Sequence, residues 1–160
     1  MKTKTTIFQK ILEFVGLTTI SSLIIYVFIS FTQLPEMIPA HFNAMGEITR
    51  YGSKYELLIM PLMGIVLYAG LTYVQLNPKL WSVPTTKNTE SNYMIYVSIK
   101  DMLIVIKVEL IGFFLYITHN QIQGENMSIY STLTFILIIL LTMVYYITKA
   151  YRVKTKLSHR

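Results

Sequence analysis

The 160 residues include no cysteine, and only 14% are charged. The first absence excludes a disulfide framework, a thiol nucleophile and a cysteine-based zinc site. The second, beside 53% hydrophobic residues and a mean hydropathy of +0.50, excludes an ordinary soluble domain, which must cover its surface with polar groups. A disordered chain is excluded by the same balance. Catalytic signatures are missing as well: there is no HExxH, no GxSxG and no phosphate-cradling glycine loop. No internal repeat, heptad seam or low-complexity tract occurs. The two halves show no similarity, so an inverted-repeat transporter within one chain is unsupported. The length is that of one domain, 1–160.

What the chain does have is long uncharged runs. Phe14 to Pro35, Leu57 to Leu76 and Met127 to Thr148 contain no Asp, Glu, Lys or Arg. Each reaches the roughly 20 residues that a helix needs to cross a hydrocarbon core of about 30 Å. Tyr93 to Thr118 is the doubtful segment, because it carries Lys100, Asp101, Lys107 and Glu109. Parity decides it. Lys2, Lys4 and Lys10 lie at one end of the chain, and Lys149, Arg152, Lys154, Lys156 and Arg160 at the other. Only an even number of spans puts both basic tails in the cytoplasm, as the positive-inside rule prefers. The expected fold is therefore an all-α integral membrane protein, a four-transmembrane-helix bundle with spans at about 12–33, 56–76, 96–118 and 127–148. Both termini are expected in the cytoplasm. The first apolar stretch is too long for a signal-peptide core and has no clean cleavage site, so it reads as an anchor.

Tyr55, Trp81, Tyr93, Tyr130, Tyr145, Tyr146 and Tyr151 fall near the expected helix ends, where amphipathic rings sit at headgroup level. Asn77-Pro78 and Val83-Pro84 break the chain after the second span, and Gly124 marks the turn before the fourth. Gly64, Ala69 and Gly70 would allow close helix approach. Pro61 is expected to kink the second helix.

The loop 34–54 is the most informative segment. Pro35 and Pro39 stiffen it and exclude a continued helix. Asn43 to Gly46 has turn chemistry, and Gly52-Ser53 offers a second turn. Leu34, Met37, Ile38, Phe42, Ile48 and Tyr51 are too many apolar residues for a solvated linker. A stiff, apolar loop is expected to be an ordered extracellular cap on the helix ends.

The residues Leu34, Pro35, Ile38, Pro39, His41, Phe42, Asn43, Gly46, Tyr51, Gly52, Ser53 and Lys54, in the pattern LPxxIPxHFNxxG followed by YGSK, resemble the short membrane domain at the N-terminus of SdpI-type bacterial immunity proteins. Members of that group protect a producing cell from its own secreted peptide toxin, and some relay the toxin's presence to a membrane-bound repressor. The resemblance covers about residues 15–75, and this chain is shorter than the six-span type. It implies a multi-pass protein of the bacterial cell membrane that meets an antimicrobial peptide, or a membrane partner protein, at its outer face. Catalysis and cofactors are not required by that reading. His41, Asn43, Arg50 and Lys54 are its candidate ligand-binding residues.

Two other readings stand beside it. His41, Glu47 and His119, with the carboxylates Glu36, Glu56 and Glu125, are all expected outside and would serve a membrane-embedded, metal-dependent hydrolase, although their spacing matches no strong metal signature. The chain would alternatively be a subunit of an oligomeric transporter, a homo-oligomer. Lys107 and Glu109 lie near the middle of the third span, two apart and so on opposite faces. A charge there costs at least ~2.5–3.5 kcal/mol on insertion scales, so they form a candidate intramembrane polar site. Glu109 would be satisfied by Thr or Tyr hydroxyls of other spans. The basic C-terminal cluster follows a span directly, so anionic lipid rather than nucleic acid is its expected partner. The Asn126-Met127-Ser128 sequon matters only in a eukaryotic secretory pathway.

Overall fold

The computed structural model describes residues 5–83 and 89–158. Lys2, Lys4, Pro84, Lys87 and Arg160 lie outside them. Among the described residues four helices are long and apolar enough to cross a membrane: α1 (Ile7–Phe31), α2 (Ile59–Leu76), α3 (Thr89–Gln123) and α4 (Ile129–Ser158). The chain is thus a multi-pass membrane protein. It is not all-α, however. Between α1 and α2 stand two antiparallel strands, β1 (Met37–Phe42) and β2 (Ile48–Ser53), followed by a 3₁₀ turn, Lys54–Leu58. The expected second turn at Gly52-Ser53 is instead the end of β2, with Gly52 opposite Ile38 and Ser53 opposite Met37.

Each helix end has a local cause. α1 starts at a capping box in which the Thr6 hydroxyl accepts from Gln9 N–H and the Gln9 carboxamide accepts from Thr6 N–H. Pro61 is the third residue of α2. It lies in the first turn, where its missing N–H would be an orphan donor anyway. α3 ends at Gly124, whose φ of +71° lets Glu125 N–H reach back to the Asn120 carbonyl at 3.1 Å, a Schellman closure.

α3 is the centre of the bundle. It packs against α1, α2 and α4, whereas α1 and α2 touch each other sparsely. Its 35 residues span ~52 Å, longer than the hydrocarbon core. Its buried residues Ser91, Ile95, Ser98, Asp101, Ile104, Lys107, Ile111, Thr118 and Gln121 recur at helical spacing, and most of them are polar or charged. Enclosure by three other helices is what lets a charged segment belong to a membrane bundle. Phe14, Phe28, Leu62, Leu137 and Leu141 point outward and are exposed, as lipid-facing side chains must be.

Close packing falls at glycines only partly anticipated. A Cβ on Gly16 would meet the Tyr68 ring at 3.2 Å and Val108 at 3.3 Å, so side chains of both α2 and α3 pack tightly on α1 there. Gly64 lies within ordinary contact of Leu23, Ile111 and Phe114, and Gly70 faces open space.

Candidate functional site

The hairpin end is built by local turn chemistry and then fixed to the helices. Asn43 closes the turn almost alone. Its carboxamide oxygen accepts from Met45 and Glu47 N–H, at 2.9 and 3.0 Å, and its amide donates to the Glu47 carboxylate at 2.8 Å. Gly46 has a φ of +84°, and a Cβ there would strike the Met127 carbonyl. That close approach lets Met127 N–H donate to the Gly46 carbonyl at 2.8 Å. Asn126 accepts from Ile48 N–H at 2.8 Å, and Gln121 donates to the Pro39 carbonyl at 3.2 Å. Ile38, 1% exposed, plugs into the core formed by Leu23, Val27 and Leu57. Burying one such side chain is worth about 1.5–3 kcal/mol. The hairpin is therefore a rigid cap on one end of the bundle.

The residues singled out in this loop are largely engaged with one another. Arg50 makes a bidentate pair with Glu56, at 3.0 and 2.6 Å, which holds its guanidinium above the usual range. Lys54 pairs with Glu36 at 2.8 Å. His41 is exposed, with Nδ1 on the Thr49 hydroxyl at 2.6 Å. His119 meets the Tyr26 hydroxyl at 3.0 Å, far along the chain on α3. Among the described residues no three His, Asp or Glu side chains gather into a group that would hold a metal ion. His41, Glu47 and His119 thus go to separate partners.

A cleft of about 270 Å³ lies between β1 and the helices, with His41 and Asn43 among its lining residues. Gln121 and Thr132 supply polar groups to its lining, and neither was evident from the sequence.

A second polar site lies toward the other end of the bundle. Lys107 is fully buried, and its ammonium donates to both Glu13 oxygens, to the Thr72 hydroxyl at 3.0 Å and to the Gln75 carbonyl at 3.1 Å. Glu13 also accepts from the Tyr68 hydroxyl at 3.0 Å and the Gln75 amide at 2.8 Å. The ammonium stands 4.4 Å from the Tyr68 ring centre. Every member is satisfied, which is the condition for a buried network to be stable rather than costly. One turn further, Gln9 donates to Asp101 at 2.6 Å. Lys107 is mid-helix in α3, yet it sits level with the second turn of α1 and the last turn of α2. Glu109 faces the opposite way, with one oxygen accepting from the Thr142 hydroxyl of α4 at 2.6 Å and the other buried without a partner. Glu13, Tyr68, Thr72 and Gln75 were not anticipated. Tyr68, Thr72 and Gln75 stand at i, i+4 and i+7, and this polar stripe in an apolar span was the available signal.

Residues 18–65 match the family described as Domain of unknown function (DUF1648). An uncharacterized protein of Archaeoglobus fulgidus is 48% identical over 46 residues, covering 29% of this chain and 25% of that relative. The alignment thus spans only a quarter of the relative's length. No solved structure matches the chain significantly. The matched segment runs from Thr18 in the middle of α1 through the hairpin to Ile65 in α2.

Proposed function

We propose that this is an immunity or sensing protein of the bacterial cell membrane, protecting against or detecting a secreted antimicrobial peptide at its outer face. The observation that carries the reading is the cap itself. A membrane protein that must meet a membrane-active peptide needs an exposed, preorganised surface and no turnover. The hairpin, pinned at Gly46, Ile48 and Pro39, leaves Met37, Met45, Tyr51 and Tyr55 exposed as apolar anchors. His41, Asn43, Arg50 and Lys54 orient the peptide's polar groups. Because Asn43, Arg50 and Lys54 are already held by internal partners, they present their remaining hydrogen-bonding capacity in fixed positions. The resemblance of the 34–54 motif to SdpI-type proteins supports the same reading. The archaeal relative extends the segment beyond bacteria without adding a role.

In this reading the hairpin lies outside and both termini lie in the cytoplasm, in contact with anionic lipid. Eight Lys and Arg occupy the two tails, against Arg50 and Lys54 alone in the loops of the hairpin end. No nucleic acid is involved, and assembly of several copies is compatible with the exposed apolar face of α4. Expression in a sensitive cell, at matched protein levels, is expected to raise the minimal inhibitory concentration of at least one secreted antimicrobial peptide. His41→Ala should reduce that protection while membrane insertion persists. Absence of protection across a panel that includes the genome's own secreted peptides would end the immunity reading.

A further inference from the structure

The end of the bundle away from the hairpin holds a cation with no partner. Lys100 of α3 is only 6% exposed. The ion pairs among the described residues take up Arg50, Lys54 and Lys107, and no hydrogen bond or ring contact reaches the Lys100 ammonium. Its stem is enclosed, but the ammonium is not sealed. Unlike the stranded Glu109 and Gln121 oxygens, it keeps some contact with the surface. Two contacts fix its depth. Asp101, the next residue, accepts from Gln9 in the first turn of α1. Tyr96, one turn earlier, packs on Trp81 just past the Pro78–Leu80 turn that follows α2, with ring centres 5.7 Å apart. Lys100 therefore stands level with the ends of α1 and α2, where a membrane-crossing helix meets lipid headgroups. Lys10 adjoins Gln9, and Lys79 lies in the Pro78–Leu80 turn; both are exposed and unpaired among the described residues. The neighbouring acid, Asp101, is engaged by Gln9.

We propose that Lys100 binds a phosphate group presented by an anionic membrane lipid, with Lys10 and Lys79 flanking it. A buried ammonium without a counter-charge is costly, and a methionine would fill the same space without that cost. A phosphate supplies the missing charge and accepts from the ammonium's N–H groups. Basic recesses between membrane helices at headgroup level recognise lipid phosphates in this way. A soluble phosphate ester carries the same chemistry, and the test separates the two sources. The site is distinct from the cap and from the C-terminal basic cluster, so it stands or falls apart from the peptide-meeting reading.

The test uses the purified full chain in a non-ionic detergent, titrated with phosphatidylglycerol, phosphatidylcholine or glycerol phosphate. Melting temperature and native mass spectrometry are the readouts. Phosphatidylglycerol is expected to bind saturably and raise the melting temperature. Phosphatidylcholine, whose own ammonium neutralises its phosphate, should do neither. Lys100→Met keeps the buried stem and removes the charge. Without lipid it should melt at or above the temperature of the original protein, and it should bind phosphatidylglycerol roughly fivefold more weakly or worse. Lys154→Met removes one charge from the C-terminal cluster and should leave most of the affinity. Glycerol phosphate matching the lipid, again through Lys100, would uphold the phosphate site and overturn its lipid source. An equal lipid response in Lys100→Met and the original protein would overturn the proposal and leave the ammonium meeting water alone. An equal loss in Lys154→Met would reduce the effect to net charge and overturn it too. A Lys100→Met protein that melts lower without lipid would show that the ammonium already has a protein partner, and the proposal would fall.

Discussion

Lys107 on α3 donates to both carboxylate oxygens of Glu13 on α1, at 2.9 and 2.8 Å, across 94 positions of sequence. The lysine is fully buried, and the glutamate side chain is 25% exposed. Breaking a buried pair from one side leaves a stranded charge, whereas removing both charges together often costs little. Glu13→Leu is therefore expected to destabilise the bundle by about 3–5 kcal/mol. Glu13→Leu with Lys107→Met should recover most of that loss. Thermal melting of the four members of the cycle in one detergent checks it, and additive losses in the double variant would contradict the pairing.

Glu109 should behave in the opposite way. Its single hydrogen bond is to Thr142, and its second oxygen is buried and unpaired. Glu109→Leu removes that unmet oxygen, and Thr142 is then free to bond its own helix backbone. Its stability is expected within about 1 kcal/mol of the original protein or slightly above it. A loss as large as that of Glu13→Leu would mean that the carboxylate has a partner role.

The two positive-φ glycines give a matched contrast. Gly46 and Gly124 have φ of +84° and +71°. A Cβ at Gly124 meets nothing within 4 Å, so Gly124→Ala should cost only the left-handed penalty of about 1–2 kcal/mol. At Gly46 the Cβ would collide with the Met127 backbone. Gly46→Ala should cost clearly more and should free the hairpin from the α3–α4 connection. Melting temperature and the rate of proteolysis within residues 37–53 read the two effects separately. Equal losses would mean that the hairpin is not seated on the α3–α4 connection.

Orientation is tested by fusions. Alkaline phosphatase is expected to be active after Met45 and after Ile122, and inactive after Thr85 and after Arg160. Activity at Arg160 would place the C-terminus outside and contradict the charge rule that motivates the proposed topology.

How much of this was readable beforehand depends on the range of the forces involved. The apolar helices were legible because a span of about 20 uncharged residues is a local, compositional property. The turn at Asn43 and Gly46 was legible for the same reason. The hairpin has a local signal too, with Ile38, Pro39 and Phe42 facing Ile48 to Gly52 across a five-residue connection. In a chain of this composition the helical signal outweighs the alternation of two six-residue strands.

The sequence by itself therefore determined the number of apolar helices, their breaks at Asn77-Pro78 and Gly124, and the stiffness of the cap. Tertiary structure alone decided which charges meet. Lys107 and Glu109 are neighbours in sequence but face opposite helices, since residues two apart diverge by roughly half a turn. Whether Lys107 meets Glu13, and Glu109 meets Thr142, depends on α3 lying at the centre of the bundle with α1 and α2 on one side and α4 on the other. The same packing brings Gln121 beneath Pro39 and leaves its oxygen unmet. Buried polar groups are satisfied by whatever neighbours packing supplies, and no local pattern specifies those neighbours.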